Sequence, residues 1–337
     1  MTVKTKIFVS NSLNPWFNLA MEDWLFSDLK EPGQVLFLWR NHDTVVIGQS
    51  QNPWVECQLE RMKENGVKLA RRQSGGGAVF HDMGNTNFTF ISAKQDYNQS
   101  LNTEIIMSAL SCFGLKPAFK GRNDLVLPVG DGEYRKISGS AFKETRDRAF
   151  HHGTVLIDAD LAALSNYLQP NLKKLQAKGI KSVRSRVMNC VEAAPNMTHE
   201  LLCSEIVREF SRQHSHDHSI EFLSEDDTLR FVGLEARVKK MSSDDWLYSQ
   251  TLPFNQQIEE RFDWGGIDVR LDVQGGSIVS AQVFSDCLSP EFISSLECCL
   301  SGINYSVSAI KQALTGLPKS YDCYAVDVIP VILSSVA

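Results

Sequence analysis

The sequence predicts an α+β protein with two domains: a large domain in which helices flank a mixed β-sheet, followed by a small α+β domain. A length of 337 residues exceeds what one hydrophobic core usually fills. Short apolar runs rich in β-branched and aromatic residues, typical of strands, are interspersed with segments of helical periodicity. Residues 1–253 carry balanced charge, whereas residues 254–337 carry ten acidic and four basic residues. We therefore expect a large domain at 1–245, a linker at 246–257 and a small accessory domain at 258–337.

Local patterns place the elements along the large domain. Asn-Pro-Trp at 14–16 and again at 52–54 predicts two helix starts, because Asn caps a helix and Pro suits its first position. Helical periodicity predicts two further helices at 102–113 and 198–213. Compact apolar runs predict strands at 35–39, 44–48, 67–70, 78–80, 87–92, 124–129, 134–142 and 150–157. We expect these strands to form one sheet that continues around a glycine turn at 75–77.

The small domain begins with a predicted hairpin. Two strand-like runs fill residues 265–284, and Gly275–Gly276 between them favours the tight turn of a β-hairpin. A helical segment follows around 290–300. This combination predicts a compact α+β unit.

Composition excludes several classes of protein. Hydrophobic residues make up 43% of the chain and charged residues 22%, which is ordinary for a globular protein. No apolar run approaches the ~20 residues that a membrane-spanning helix needs, and residues 1–10 lack the long apolar core of a secretory signal. Eight cysteines without CxxC spacing indicate reduced thiols, and a net charge of −6 argues against a general nucleic-acid binder. We expect a soluble, cytoplasmic protein that binds neither membrane nor nucleic acid.

The segment RRQSGGGAVFHD at 71–82 is the strongest candidate for a ligand-binding loop. Gly75–Gly77 have no side chains to bury, and their backbone N–H groups can approach an anion closely. Arg71, Arg72, Ser74 and His81 add donors suited to a carboxylate or a phosphate. A bulged hairpin turn is the alternative interpretation of the glycines.

Three further positions carry candidate chemistry. Lys136 lies in an apolar strand pattern, where an inward-facing ammonium needs an anion; the alternative is that it points outward. Asp124 begins an apolar strand and is either a turn residue or a carboxylate ligand for Mg²⁺. His151 and His152 lie on opposite faces of one strand, and a histidine satisfied inside the core is the ordinary interpretation.

Residues 173–186 form a basic run. Six lysines and arginines occur there without a carboxylate, including Lys181 and Arg184. Such a run is usually a solvated face, but it also suits a nucleotide phosphate or an acidic protein partner.

In this order and spacing, the motifs resemble the lipoate–protein ligase A family of the biotin/lipoate ligase superfamily. The resemblance covers essentially the whole chain. It rests on PWFNLAMED, VLFLWRN, TVVIGQSQNPW, RRQSGGGAVFHD, GRNDL, RKISGSAF, HHGT, KGIKSVRSRV and FDWGG.

The resemblance implies a large catalytic domain with a small accessory domain and two half-reactions. Lipoate and MgATP would give lipoyl-AMP, and the lipoyl group would then move to a lysine of an acceptor protein. The implied acceptors are the lipoyl domains of 2-oxo-acid dehydrogenase complexes and the glycine-cleavage H protein, and the implied cofactors are ATP and Mg²⁺. We expect a monomer.

The resemblance also assigns site residues. The essential lysine falls on Lys136, and Asp124 falls near the metal and the phosphates. The ATP and adenylate positions are Arg72, Gly77, Ala78, Val79, Phe80, Lys136, Lys181 and Arg184. The lipoate positions are Leu19, Trp39, Arg72, Ser74, Gly75, Gly76, Gly77, His81 and His152, of which Leu19 and Trp39 would line an apolar tunnel for the dithiolane tail.

Three other functions remain open from the sequence. The first is a lipoyl or octanoyl transferase that uses a preformed acyl donor without ATP. The second is a biotin ligase, although its glycine loop is framed differently. The third is a non-catalytic lipoate-binding module. Cysteine-dependent transfer has little support, because only Cys112 lies between residues 71 and 156, in a predicted helix.

Overall fold

The computed structural model describes residues 5–30, 33–169, 187–214, 218–248 and 252–336. The basic run at 173–186, with the predicted nucleotide-binding residues Lys181 and Arg184, lies outside the described residues. Its role stays a prediction.

The strands are numbered β1 to β14 in chain order. They are β1 Thr5–Ser10, β2 Gln34–Trp39, β3 Thr44–Ile47, β4 Lys68–Arg71, β5 Val79–His81, β6 Asn85–Ala93, β7 Ala118–Lys120, β8 Asp124–Gly130, β9 Glu133–Glu144, β10 Arg148–Leu156, β11 His218–Leu223, β12 Gln256–Phe262, β13 Gly265–Gln274 and β14 Ser277–Ser285.

The α-helices are numbered in the same way. They are α1 Pro15–Ser27, α2 Pro53–Glu56, α3 Leu59–Glu64, α4 Gln99–Ser111, α5 Leu161–Tyr167, α6 His199–His214, α7 Leu234–Met241, α8 Asp244–Tyr248, α9 Pro290–Leu300, α10 Val307–Leu314 and α11 Asp322–Val336. Both Asn-Pro-Trp sequences begin helices as predicted, because the side-chain oxygens of Asn14 and Asn52 accept the first free backbone N–H groups. No helix of the described residues is long and apolar enough to cross a membrane.

The predicted α+β class is confirmed, but the large domain contains two sheets where one was expected. Eight strands form a mixed sheet in the order β11-β1-β2-β6-β10-β9-β8-β7, and β4-β3-β5 form a separate three-stranded sheet. The expectation that β3 to β6 continue one sheet was wrong. Strand β6 is buried over eight of its nine residues and pairs with β2 and β10, so it lies at the centre of the large sheet.

The two faces of the large sheet carry different hydrophobic cores. On one face, α4 and α6 pack through Ile106 and Phe210 against Phe88 and Phe90 of β6. On the other face, α1 and α7 cover the alternate side chains, among them Phe150 of β10. This second face continues into the candidate site.

The small domain has its own core. Strands β12, β13 and β14 form an antiparallel sheet, and Gly275 and Gly276 turn between β13 and β14 with φ of 55° and 80°, as the hairpin prediction requires. Helices α9, α10 and α11 pack on this sheet. Helix α8 ends at Tyr248 and packs its buried Leu247 on the three-stranded sheet of the large domain, inside the predicted linker at 246–257. The linker boundaries stay a prediction.

His151 lies on the face of β10 that α4 and α6 cover, beside three phenylalanine rings. Its ring centroid is 5.5 Å from Phe88, 6.1 Å from Phe90 and 4.7 Å from Phe142. Neither ring nitrogen has a hydrogen-bond partner among the described residues. Burial, with a smaller contribution from nearby His152, lowers the pKa of His151 to about 3.

This buried imidazole predicts a measurable pH dependence of stability. Below its ordinary pKa of about 6.5, His151 takes up a proton in the unfolded chain but stays neutral in the folded one, so its contribution to stability is lost as the pH falls. From pH 7 to pH 5 this one group should cost about 2 kcal/mol of unfolding free energy. Urea titrations at both pH values should therefore show a smaller decrease for His151→Phe than for the unmodified chain. Equal decreases would contradict the prediction.

Candidate functional site

A cavity of about 1160 Å³ lies between the two sheets of the large domain and the edge of the small one. Many of the residues that the sequence assigned to a site line it together: Leu19, Trp39, Arg72, Gly76, Gly77, Ala78, Val79, Phe80, His81, Asp124, Lys136 and His152. Ser74 and Gly75 do not line the cavity. The small domain contributes a wall that includes Arg261 and Asp286.

The cavity contains an ion pair between neighbouring strands. Lys136 on β9 places its Nζ 2.6 Å from Oδ1 of Asp124, the first residue of β8. The adjacent Ile137 points into the core, so strand alternation turns Lys136 toward the cavity, as the inward interpretation predicted. A Cβ on Gly139 would lie 2.7 Å from this Nζ. Glycine at 139 therefore leaves the space that the ammonium fills.

Arg71 and Arg72 both donate hydrogen bonds to backbone carbonyls, but of different segments. Arg72 donates to the carbonyl oxygens of Val46, Gly75 and Gly77 and to Oγ of Ser74, over distances of 2.7 to 3.2 Å. Arg71 donates to backbone carbonyls of 49, 51, 246 and 247. Burial lowers the pKa of each guanidinium to about 10. Arg72 therefore shapes the glycine loop, whereas Arg71 connects the segment after β3 to helix α8; their predicted roles toward a carboxylate or a phosphate stay predictions.

The glycine loop also contacts the small domain. The N–H of Gly76 donates to the carbonyl oxygen of Cys287 over 2.9 Å. Nearby, the backbone N–H of Ser285 donates to the backbone carbonyl oxygen of Ser50, in the segment after β3, over 2.8 Å. A Cβ on Gly75 would lie only 2.2 Å from that same carbonyl oxygen of Cys287. Gly75 therefore also has a packing role that the sequence did not predict, because its missing side chain leaves room for the backbone of the small domain.

A series of buried side-chain hydrogen bonds connects the glycine loop to β10 and α1. Ser74 Oγ lies 2.7 Å from Nε2 of His152, whose Nδ1 lies 2.8 Å from Oε1 of Glu22. Glu22 also accepts from Thr89, which accepts from Nε1 of Trp39. These contacts connect the glycine loop to helix α1 and to β6 through buried side chains.

Glu22 was missed by the sequence-based reasoning. It is 3% exposed and lies in helix α1 among apolar residues. An acidic residue inside such a pattern was the available signal, since a buried carboxylate needs partners. Ser74 is fully buried and its hydroxyl contacts His152; its predicted contact with lipoate stays a prediction.

His81 lies at a deeply buried part of the cavity beside Trp39, with ring centroids 6.0 Å apart. Its Nδ1 is 3.2 Å from Nδ2 of Asn41. Burial, then Arg72 and His152, lower its pKa to about 3, so the ring is neutral. Its Nε2 has no hydrogen-bond partner among the described residues.

Within the described residues, no three His, Cys, Asp or Glu side chains gather as a metal site. Mg²⁺ in nucleotide sites usually needs only one or two carboxylates together with substrate phosphates. Asp124 at the cavity wall fits that donor set.

A model of the lipoyl protein ligase A/B catalytic domain matches residues 14–211. The chain belongs to the lipoyl protein ligase A/B family. A second model, of the bacterial lipoate protein ligase C-terminus, matches residues 251–324. The resemblance inferred from the motifs is confirmed, and the chain is an enzyme of protein lipoylation.

Solved structures of this family superpose on the chain. LipL1 of P. falciparum, solved in complex with lipoate, is 33% identical with a TM-score of 0.87, covering 98% of this chain and 99% of its own. The bipartite lipoate protein ligase of Thermoplasma acidophilum, solved with its E2 lipoyl domain, is 26% identical with a TM-score of 0.63 and covers 75% and 99%. A lipoate-protein ligase A bound with ATP is 25% identical with a TM-score of 0.60 and covers 74% and 99%.

The matched catalytic region of this lipoyl protein ligase A/B chain contains the complete set of loop, lysine and histidine residues described above. The wall around Arg261 and Asp286 lies within the second matched region. The cavity is thus built from both parts of the family's architecture.

Proposed function

We propose that this enzyme is an ATP-dependent ligase that activates free lipoate as lipoyl-AMP and transfers the lipoyl group to a lysine of lipoyl-domain proteins. The main supporting observation is that the Lys136 ammonium shares one cavity with a glycine-rich loop and an apolar pocket. The lipoate complex of LipL1, the ATP complex of ligase A and the archaeal pairing with an E2 lipoyl domain support the same proposal. The acceptors would be 2-oxo-acid dehydrogenase E2 subunits and the glycine-cleavage H protein.

In the first half-reaction, a lipoate carboxylate oxygen attacks the α-phosphorus of ATP and pyrophosphate leaves. Both reactants are anions, so a positioned cation lowers their repulsion and stabilises charge that develops in the transition state. Lys136 Nζ would lie between the two groups, and its ion pair with Asp124 holds it in place beforehand. Mg²⁺ near Asp124 would supply neutralisation of the phosphate charge.

In the second half-reaction, the acceptor lysine amine attacks the acyl carbon, an amide forms and AMP leaves. Lys136 would then hold the acyl carbonyl oxygen as it gains negative charge. The apolar tail would lie against Leu19, Trp39 and Val46, which line the same cavity.

Mass spectrometry of an acceptor protein tests the proposal directly. Incubation of the chain with ATP, Mg²⁺, lipoate and an apo lipoyl domain should add one lipoyl mass to the domain. Omission of ATP should abolish the addition, whereas preformed lipoyl-AMP should restore it. If the chain modifies the domain with lipoyl-AMP but not with ATP and free lipoate, the ligase proposal is contradicted. That result would indicate the alternative, a transferase that needs a preformed donor.

Gly139→Ala tests the geometry around the ammonium. The new methyl group would displace Nζ of Lys136 from Asp124, because its Cβ would lie 2.7 Å from that nitrogen. A lysine end is flexible, so stability should change little, while adenylation should fall by about 10- to 100-fold. Pyrophosphate release and thermal unfolding measure the two effects.

The double variant Lys136→Ala/Gly139→Ala is the matched control. If Gly139 acts through the ammonium, the second substitution should cause no further loss once the ammonium is gone. Additive losses would show that Gly139 serves another purpose.

A further inference from the structure

The small domain places one arginine in the wall of the cavity. Arg261, on β12, lines the cavity together with Gly266 and Asp286. Its Nη1 and Nη2 each lie 3.3 Å from an oxygen of the Asp286 carboxylate, and 18% of its side chain is exposed. A guanidinium carries five N–H groups in a planar fork, so this ion pair leaves donors for a further acceptor. Arg261 can therefore bind an anion while Asp286 holds it.

The position of this ion pair is set by a glycine. Oδ1 of Asp286 accepts from the backbone N–H of Gly266 over 2.7 Å. A Cβ on Gly266 would lie 3.0 Å from Nη1 of Arg261. Glycine at 266 thus leaves the space that the guanidinium fills, as Gly139 does for the ammonium of Lys136.

The pair of Arg261 and Asp286 lies beside the glycine loop. Asp286 directly precedes Cys287, whose carbonyl oxygen accepts from the N–H of Gly76 over 2.9 Å. Gly76 lines the same cavity as Arg261. The small domain therefore brings a guanidinium next to a loop whose backbone N–H groups suit an anion.

The other cationic side chains that line the cavity differ from Arg261 in their surroundings. The guanidinium of Arg72 is buried and donates to carbonyl oxygens of the glycine loop. Lys120 and Arg122 are exposed, and Lys120 lies over an aromatic ring. Lys136 would already serve the lipoate carboxylate and the α-phosphate. The β- and γ-phosphates of ATP need a further cation, and an arginine fork binds phosphate oxygens in pairs.

We propose that Arg261 is a catalytic residue of adenylation, which donates to the β- and γ-phosphate oxygens of ATP and stabilises the leaving pyrophosphate. This inference rests on the proposed function, because it assumes that ATP activates the lipoate. As the lipoate oxygen bonds to the α-phosphorus, the bond from that phosphorus to the bridging oxygen breaks, and its electron pair stays on pyrophosphate. Lipoyl-AMP has no β- or γ-phosphate, so Arg261 acts in the first half-reaction alone.

Arg261→Ala should separate the two half-reactions. Pyrophosphate release from ATP and lipoate should fall about 100-fold, with a higher KM for ATP. Transfer from preformed lipoyl-AMP to an apo lipoyl domain should stay near the rate of the unmodified chain. Arg261→Lys keeps the charge without the planar fork and should recover part of the first rate. Equal losses in both half-reactions would assign a structural role and overturn the proposal, as would unchanged pyrophosphate release.

Arg270→Ala is the matched control. Arg270 lies on β13 of the same sheet, pairs with Asp268 over 2.8 Å and has 13% of its side chain exposed, but it does not line the cavity. Its removal should leave pyrophosphate release nearly normal. A loss as large as that of Arg261→Ala would mean that both arginines act through the integrity of the small domain, which would overturn the proposal.

Titration calorimetry with ATP and AMP distinguishes this inference from the proposed function. Arg261→Ala should weaken ATP binding by about tenfold and leave AMP binding unchanged, because AMP lacks the β- and γ-phosphates. An unchanged ratio of the two affinities would overturn the role of Arg261 even if the chain is a ligase. If ATP binding depends on Arg261 but the unmodified chain releases no pyrophosphate with lipoate, the ligase assignment fails instead. Absence of ATP binding by the unmodified chain would overturn both.

Discussion

Lys136→Ala should fold normally yet lose adenylation of lipoate by about 10²- to 10³-fold. The ammonium is the cation that the structure places in the cavity on β9, paired to Asp124 over 2.6 Å. Its removal leaves two anionic reactants without the charge that brings them together. Pyrophosphate release from ATP and lipoate, measured at saturating substrate, reports the effect on this step.

A matched lysine controls for loss of surface charge. Lys94 pairs with Glu144 and does not line the cavity, so Lys94→Ala should retain full activity. Near-normal pyrophosphate release by Lys136→Ala would refute the proposed role. Transfer from preformed lipoyl-AMP, measured on the same variant, separates the two half-reactions.

Glu22→Ala should give the largest loss of stability, about 3–5 kcal/mol. Glu22 and His152 are 3% and 6% exposed, and the carboxylate accepts from both His152 and Thr89. Its removal leaves two buried donors without acceptors and releases the support of Ser74 beneath the glycine loop. Urea unfolding followed by tryptophan fluorescence measures the change.

Glu22→Gln is the isosteric control for this prediction. The amide oxygen can still accept from Nδ1 of His152, so the loss should be clearly smaller than for alanine. A loss of unfolding free energy below about 1 kcal/mol in Glu22→Ala would mean that the hydrogen bonds connecting Ser74, His152, Glu22, Thr89 and Trp39 contribute little to stability.

Local signals in the sequence predicted much of the fold. The Asn caps of α1 and α2, the Gly275–Gly276 turn and the alternating sides of β10 each depend on residues close in the chain. Separation of β3 to β5 into their own sheet was not predictable in the same way. Sheet membership depends on pairing between distant strands, which periodicity does not report.

The site was predicted in part. Lys136, Asp124 and His81 lie on the cavity as expected, because motif spacing and strand alternation set their directions. Gly75 and Arg72 also make contacts within the protein that the sequence did not predict, while their ligand roles stay predictions. A glycine that makes room for a ligand looks the same in the sequence as one that makes room for a neighbouring backbone. At Gly75, only the position of Cys287 in the structure shows the second role.

The hydrogen bond from Gly76 to the carbonyl oxygen of Cys287 has a thermodynamic consequence. One N–H cannot serve two strong acceptors fully, so an anion that takes it must compete with the contact between the domains. Linkage requires the competition to be mutual: the factor by which docking weakens the anion equals the factor by which the anion weakens docking. Binding of an anion at the Gly76 N–H would therefore be coupled to a backbone contact more than two hundred residues away in sequence.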